Sequence, residues 1–354
     1  MKKFIAGILC FSATLSLFSG MAMAVAPATD PTPTKVENAF SDVPQTNGNY
    51  VAIKYLKDKG ILGGYADGSF KPANLVNRAE ALKILLVANK VQVPEKVETS
   101  SFSDVKAADW YAKYLEIAKT QGIVKGNPDG TFAPARNVSR AEFLKMLLVL
   151  NSFKTDKWVD KSMFADVPKD AWFTPYMNYA GQAGLLVKDV KNNLYPALEL
   201  TRGDVAEIIY LMLIIRNDKN TQFLMDQTEA QMAQIEVYVG DNNPLAAKRA
   251  SELAVDFSQQ AYTVMPENNV VLGAAKLAKA YNFLMNSYIS AIKKDYVSTK
   301  SWADQAIAKA TEAWEANNDI QAIAKHVKDR AAEIIAQIPK DAVTTAPATA
   351  TTTK

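Results

Sequence analysis

The sequence has very little cysteine and histidine: Cys10 and His326 are the only residues of their kinds among 354. Cys10 lies in an N-terminal apolar segment that we predict to be removed, so the mature chain would have no disulfide and no thiol chemistry. A single histidine argues against histidine-based metal sites and Ser-His-Asp triads. We therefore predict a protein that is not an enzyme and that uses no metal and no cofactor.

Excess charge and long apolar runs are also missing. There are 40 Lys and Arg residues against 37 Asp and Glu, so no basic surface for nucleic acid is predicted. Beyond residue 24 the longest apolar run covers only residues 208–215, whereas a helix that spans a bilayer needs about 20 apolar residues. The sequence therefore predicts neither a nucleic-acid partner nor a transmembrane segment.

Residues 1–24 have the pattern of a secretory signal peptide. Lys2 and Lys3 precede an apolar run, and Ala22-Met23-Ala24 offers a small-residue cleavage site. We predict that the chain is secreted. Residues 25–38 form a Pro/Thr-rich leader that we predict to be flexible, and residues 339–354 a Thr/Ala-rich tail that we predict to be disordered.

The most informative feature present is an internal repeat with a period of 62 residues. A fixed period without gaps indicates three copies of one supersecondary unit, which stack to bury a shared core. Five landmarks return in every copy: Phe40, Phe102 and Phe164; Asp42, Asp104 and Asp166; Gly60, Gly122 and Gly184; Pro72, Pro134 and Pro196; Arg78, Arg140 and Arg202.

Each copy contains the pattern of two helices. In the second copy an apolar stripe predicts a first helix over about residues 110–121, and Gly122 ends it. The second helix begins at Ser139, which with Glu142 forms a capping box. Its body is apolar on nearly all sides, so we expect the three second helices to pack together at the centre.

The FxDV opening, the D-G-x-F-x-P turn and the TRAE-like helix start together resemble the S-layer homology (SLH) repeat. The resemblance covers about residues 39–213, with repeats at 39–89, 101–151 and 163–213. It implies an all-α fold in which three repeats form a pseudo-threefold prism, a three-helix bundle at its centre. It also implies grooves that hold a cell-wall polysaccharide or peptidoglycan-linked glycan, often pyruvylated, and so tether the protein to the cell wall or S-layer.

The arginine at the first position of each second helix is the strongest candidate for ligand binding. A cation there opposes the helix dipole, so its repetition needs a reason. Arg78, Arg140 and Arg202 either pair with the FxDV aspartates to lock neighbouring repeats, or share an external anion with the helix N-terminus. The resemblance implies the second role, with the arginine on the carboxylate of a ketal.

The other candidate ligand contacts each have a structural alternative. Trp110 and Trp172 either stack on a sugar or plug the core. The aspartates either accept a sugar hydroxyl or hold a turn, and Gly126 either lets the backbone approach a ligand or only makes its turn. The aspartates concerned are Asp42, Asp104 and Asp166.

The three copies depart from one another in ways that bear on the grooves. The first copy has Gly48 where the others have tryptophan, and the third has lost both turn glycines over residues 188–194. The resemblance places each groove between neighbouring repeats. It therefore implies that the grooves bordered by the intact second repeat are the most competent.

Residues 219–338 have a different character and predict a helical domain, either a bundle or a short solenoid. We predict five helices at about 220–238, 244–263, 270–296, 301–316 and 319–338. A protein partner or self-association is one role for this domain, with aromatic and Met side chains lining a groove unless they form its core. Those side chains are Tyr238, Phe257, Tyr262, Phe283, Met285 and Tyr288.

Two other functions stay open beside anchoring. One is an S-layer assembly subunit, which normally needs a larger assembly domain than the C-terminal helices supply. The other is a cell-wall-modifying enzyme, which needs two carboxylates held about 5–10 Å apart. No motif in the sequence nominates such a pair.

Overall fold

A computed structural model of the chain, described here for residues 38–155, 162–339 and 342, is all-α. These residues hold eleven α-helices and no β-strand, only isolated β-bridges, which confirms the predicted fold class. They fall into two compact units, Glu37–Arg216 (the N-terminal unit) and the helices after Asn217 (the helical unit). The predicted signal peptide lies outside the described residues, as do nearly all of the leader and tail.

The N-terminal unit contains a short first helix and a longer second helix from each repeat. The first helices are α1 (Tyr50–Asp58), α3 (Ala112–Thr120) and α5 (Thr174–Gln182). The second helices are α2 (Arg78–Ala88), α4 (Arg140–Leu150) and α6 (Arg202–Arg216). The apolar bodies of α2, α4 and α6 are largely buried, as their sequences predict.

The second helices begin at the predicted capping boxes. Asn77 accepts a hydrogen bond from the Glu80 N–H (2.9 Å), and Ser139 accepts one from the Glu142 N–H (3.3 Å). In each case the Glu carboxylate bonds back to the N-cap N–H, so both unpaired donors are satisfied. The third box is made by Thr201 and Asp204.

A closed ring of backbone hydrogen bonds joins the loops that precede these three helices. The Val76 N–H donates to the Leu200 carbonyl (3.0 Å), Leu200 to Val138 (3.1 Å) and Val138 back to Val76 (2.9 Å). All three side chains are fully buried, and α2 packs on both α4 and α6. The ring therefore brings the N-terminal ends of α2, α4 and α6 side by side.

Each first helix packs on the second helix of the preceding repeat. The contacts are α3 on α2, α5 on α4, and α1 on α6. They define three junctions, which we name junction 1–2, junction 2–3 and junction 3–1 after the repeats that meet there. At the far ends of the second helices, Arg216 donates to the Asn89 and Asn151 side chains (3.0 and 3.2 Å), which ties the three C-termini together.

The helical unit consists of α7 (Thr221–Gly240), α8 (Pro244–Val264), α9 (Asn269–Ile292), α10 (Tyr296–Ala316) and α11 (Gln321–Ala336). Sequence neighbours pack on one another, and α9 also contacts α7 and α11. The break between α9 and α10 lies earlier than the sequence predicts, because the Asp295 side chain accepts the Ser298 N–H and starts a helix there.

The aromatic and Met positions of this unit divide between core and surface. Tyr238, Phe257 and Met285 are buried, whereas the other three candidates are partly exposed. Phe283 stacks on Trp302, with ring centres 5.6 Å apart. Core packing therefore accounts for half of the set.

Across the described part of the chain, no helix combines the length and the apolar character that crossing a membrane requires.

Candidate functional site

The FxDV aspartates hold a turn within their own repeats. Asp104 accepts hydrogen bonds from the Phe132 N–H (2.8 Å) and the Ala133 N–H (2.7 Å). Ala133 has a φ of 57°, a conformation that is unfavourable for alanine, so the carboxylate stabilises a strained turn. Asp42 and Asp166 make the same two bonds in the first and third repeats. A sugar contact by these carboxylates stays a prediction.

The three arginines reach across the junctions to a backbone carbonyl of the next repeat. Arg78 Nε donates to the Phe132 carbonyl (2.9 Å). Arg140 Nη1 and Arg202 Nε donate to the equivalent carbonyls, those of Leu194 (2.6 Å) and Phe70 (2.7 Å). The direct pairing of arginine with an FxDV aspartate is therefore wrong. At junction 1–2 the two side chains meet through Phe132, whose N–H binds Asp104 and whose carbonyl binds Arg78.

Arg78 is the most deeply buried of the three arginines, with 7% of its surface exposed. Its Nη1 also donates to Glu142 Oε1 (2.8 Å). Burial lowers the pKa of the Arg78 guanidinium, while the charges of Glu142 and Asp104 oppose that shift. Burial raises the pKa of Glu142, yet hydrogen bonds from Arg136 and Ser139 and the charge of Arg78 hold it below its usual range. Glu142 is thus the acidic partner of a buried ion pair.

Among the described residues Arg140 has no such ion pair, and Asp204, which is one methylene shorter, stands at the position of Glu142. Burial lowers the pKa of Arg140, and Asp204 opposes this only through its charge. The Nε of Arg140 is buried without a hydrogen-bond partner among the described residues. The buried arginine at junction 2–3 therefore has fewer hydrogen-bond and ion-pair partners than the one at junction 1–2.

Trp110 and Trp172 are half exposed, at 50% and 54%, and each carries a lysine on its ring. Lys83 Nζ lies 5.3 Å from the centre of the Trp110 ring, and Lys145 Nζ lies 5.2 Å from that of Trp172. The lysines belong to α2 and α4, and each tryptophan belongs to the following repeat. The exposure excludes the interpretation that these rings plug the core.

The lysines were not among the candidates predicted from the sequence, although a signal for them was present. Lys83 and Lys145 are 62 residues apart, and the third equivalent position is Glu207. A lysine that recurs with the period and is replaced by glutamate in one repeat marks a position whose chemistry differs between otherwise equivalent junctions.

Junction 3–1 is built from different side chains. Gly48 replaces the tryptophan, and Glu207 Oε2 accepts a hydrogen bond from Asn49 Nδ2 (2.9 Å). Gly203 stands where the other repeats have alanine, and a Cβ there would lie 2.5 Å from Asn49 Oδ1. Asn49 therefore occupies the space beside the start of α6.

Gly126 is required by packing within its own repeat. It has a φ of 80°, and an added Cβ would lie 2.5 Å from Cε1 of the Phe102 ring. This contact supports the interpretation that the glycine makes the turn, and an approach to ligand stays a prediction.

The third repeat keeps the same turn without glycine. Asn192 takes a φ of 65°, and the Asp189 N–H donates to the Asn193 carbonyl as Asn127 does to Thr131. Hydrogen bonds from the Tyr195 hydroxyl and the Asn193 N–H lower the pKa of Asp189 to about 2. The loss of the two glycines therefore does not remove the turn from junction 2–3.

The substitution Gly203→Ala should destabilise the N-terminal unit by about 1–3 kcal/mol, because the new methyl group collides with Asn49. In a chain that already carries Asn49→Ala, Gly203→Ala should change the free energy of unfolding very little. Alanine is the residue that α2 and α4 carry at the equivalent position. A double-mutant cycle measured by urea denaturation should give a coupling of about 0.5–3 kcal/mol. Additive effects would show that Asn49 does not set the need for glycine.

The described residues contain no group of three or more His, Cys, Asp or Glu side chains placed to hold a metal ion. The site is instead a set of repeat junctions with cations, carboxylates and exposed aromatic rings. Such surfaces suit the recognition of a ligand with ring faces and negative charge.

Comparison with known proteins gives three matches to one family model. Residues 39–82, 101–144 and 164–206 match the S-layer homology domain. The chain is 32% identical over 161 residues to the surface-layer 125 kDa protein of Lysinibacillus sphaericus, covering 44% of this chain and 13% of that protein. It is 32% identical over 138 residues to the cellulosome-anchoring protein of Acetivibrio thermocellus, covering 38% and 30%.

Another relative is an enzyme by name. The chain is 28% identical over 179 residues to exoglucanase XynX of Acetivibrio thermocellus, covering 49% of this chain and 16% of the enzyme. The match thus spans less than a third of the length of each of these three relatives.

Proposed function

Because residues 39–206 contain three S-layer homology domains, we propose that they anchor this protein non-covalently at the cell surface by binding a cell-wall polysaccharide. These domains are non-catalytic anchoring domains, so the proposed role of the N-terminal unit is binding. The observation that carries the proposal is the pair of half-exposed tryptophans, each set beside cationic side chains at a junction between repeats.

The chemistry of these junctions suits a sugar polymer with negative substituents. The exposed face of Trp110 or Trp172 offers a flat apolar surface for a sugar ring, and the neighbouring cations offer charge to a carboxylate such as a pyruvate ketal. Each contact alone is weak in water. Use of two junctions by one polymer would raise the overall affinity through effective concentration.

We propose that junctions 1–2 and 2–3 bind the glycan and that the second repeat, which borders both, is central. Both have a tryptophan with a lysine on its ring, whereas the equivalent positions at junction 3–1 are Gly48 and Glu207. The names of the relatives support anchoring as the role, since they include a surface-layer protein and a cellulosome-anchoring protein.

The helical unit would then be displayed at the surface, where a protein partner or self-association is its proposed role. Assembly of an S-layer is the second candidate function, and the surface-layer relative favours it. Electron microscopy of the purified chain distinguishes the two, because an assembly subunit forms ordered sheets and an anchored module does not.

A sedimentation assay with purified wall sacculi tests the anchoring proposal. We expect the full chain and a fragment of residues 25–218 to sediment with sacculi, and a fragment of residues 219–340 to stay in solution. Mild acid, which removes pyruvate ketals, should reduce sedimentation of the first two. Equal binding before and after acid would show that the ketal is not recognised, and binding by the second fragment alone would reverse the assigned roles.

A further inference from the structure

The cations at the junctions differ in how far they are already engaged. Each arginine donates a hydrogen bond to a backbone carbonyl of the next repeat, and Arg78 donates a second one to Glu142. Lys83 and Lys145, in contrast, have no hydrogen-bond acceptor and no ion pair among the described residues, and each ammonium group faces a tryptophan ring. The ammonium groups of these two lysines can therefore donate to a ligand without giving up a hydrogen bond or an ion pair within the protein.

Resting on the proposed function, we infer that Lys83 and Lys145 determine which junctions take ligand. The ligand they fit is an anionic saccharide, with a sugar ring on the tryptophan and a negative substituent on the ammonium group. The arginines that the family resemblance nominates act mainly as links between repeats.

The surroundings of Lys145 support this assignment. Burial and the positive charges of Lys125 and Arg78 lower its pKa, and Glu142 opposes that shift. Lys145 therefore carries its charge in a locally positive environment beside a half-exposed tryptophan. An incoming anion would relieve the repulsion on Lys145, so the gain on binding is larger than for an isolated surface lysine.

Junction 3–1 shows the reverse pattern. Glu207 takes the place of the lysine, and its carboxylate is held by Asn49 (2.9 Å). Arg202 lies between the Tyr65 and Phe70 rings, 4.9 and 4.5 Å from their centres, and donates to the Phe70 carbonyl. A carboxylate in this position disfavours an anionic ligand through like-charge repulsion. Lys71 Nζ lies 4.3 Å from the centre of the same Tyr65 ring, but it is 3.4 Å from Asp67 Oδ2 and its charge is already paired. The inference therefore gives two sites for each chain rather than three.

Sedimentation of the full-length chain with wall sacculi at low ionic strength tests the inference. We expect the double substitution Lys83→Glu with Lys145→Glu to weaken binding at least tenfold, and Lys83→Gln with Lys145→Gln to weaken it less. Lys96→Glu is the control, because the Lys96 side chain is 82% exposed and, among the described residues, pairs only with Glu98 and lies over no aromatic ring. The affinity of the Lys96→Glu variant for sacculi should stay within twofold of that of the unaltered chain.

The outcomes separate this inference from the function on which it rests. If the unaltered chain does not sediment, glycan anchoring itself fails. If the unaltered chain sediments and the double Glu variant binds as well as Lys96→Glu, anchoring stands and the role of the lysines is overturned. Circular dichroism of each variant establishes that it is folded, and the Gln pair repeats the test with a milder change.

Discussion

Replacing Arg78 with alanine should lower the free energy of unfolding of the N-terminal unit by about 3 kcal/mol. The guanidinium is buried, lies over the Phe132 ring at 4.4 Å, and donates both to the Phe132 carbonyl and to Glu142. Its removal leaves a carbonyl without its side-chain donor and leaves Glu142 with only the more exposed Arg136 as a cationic partner. The Phe132 carbonyl and Glu142 then bear a desolvation cost that is offset less completely than in the unaltered chain.

Arg202→Ala is the matched comparison, because Arg202 makes the equivalent carbonyl contact with greater exposure. Arg202 also donates to the Gly63 carbonyl (3.3 Å), so we expect a loss of about 1–2 kcal/mol there, the usual net contribution of two hydrogen bonds. Amide hydrogen exchange on the full chain, with peptides from the helical unit as an internal reference, measures both changes. Equal losses would contradict the idea that the ion pair with Glu142 sets Arg78 apart.

The effect of Arg78→Ala should also depend on pH. The pKa of Glu142 is depressed in the folded state, so its pairing contributes stability above the ordinary carboxyl pKa of about 4.3. That contribution disappears as the pH falls through the lower, folded-state pKa. The difference between the unaltered chain and the Arg78→Ala variant should therefore be full at pH 7 and shrink below about pH 4.

Gly126→Ala should destabilise the N-terminal unit by about 2–4 kcal/mol, the sum of backbone strain and overpacking. The backbone φ of 80° disfavours any residue with a Cβ, and the new methyl group would lie 2.5 Å from the Phe102 ring and 3.0 Å from the Thr131 carbonyl. Phe102 is buried beside Phe132, so it has little freedom to move aside. Thermal denaturation of the full chain provides the measurement.

Gly122→Ala separates the two causes. Gly122 has a φ of 71° with nothing within 4 Å of an added Cβ, so only the backbone strain of about 1–2 kcal/mol applies. A stable Gly126→Ala variant that no longer sediments with sacculi would instead favour the other interpretation, that the glycine lets a ligand approach the backbone.

Helices and their starts could be predicted from the sequence because their determinants are local. Ser139 and Glu142 are three residues apart, and their capping box needs no knowledge of the rest of the fold. The apolar bodies of the second helices likewise predicted their burial. The 62-residue period indicated how many units there are, since equivalent residues in equivalent places produce it.

Contacts between repeats could not be predicted, because the period does not say which copy a side chain reaches. Arg78 and Asp104 are correctly placed near one another by the sequence, yet they meet through Phe132 and not directly. The stacking of Lys83 on Trp110 depends on how α2 and α3 pack, which no local pattern specifies. The change from lysine to glutamate at position 207 can be seen in the sequence. Its effect on ligand binding could not be predicted without knowing which side chains surround it.

The closed ring of Val76, Val138 and Leu200 cannot be completed until all three repeats are present. After the first two repeats are made, the Val76 N–H still lacks its acceptor and the Val138 carbonyl its donor, because Leu200 supplies both. Such an intermediate presents one unpaired donor and one unpaired acceptor, which are complementary to those of a second molecule in the same state. We expect a chain stalled there to exchange repeats with a neighbour more readily than the complete unit does.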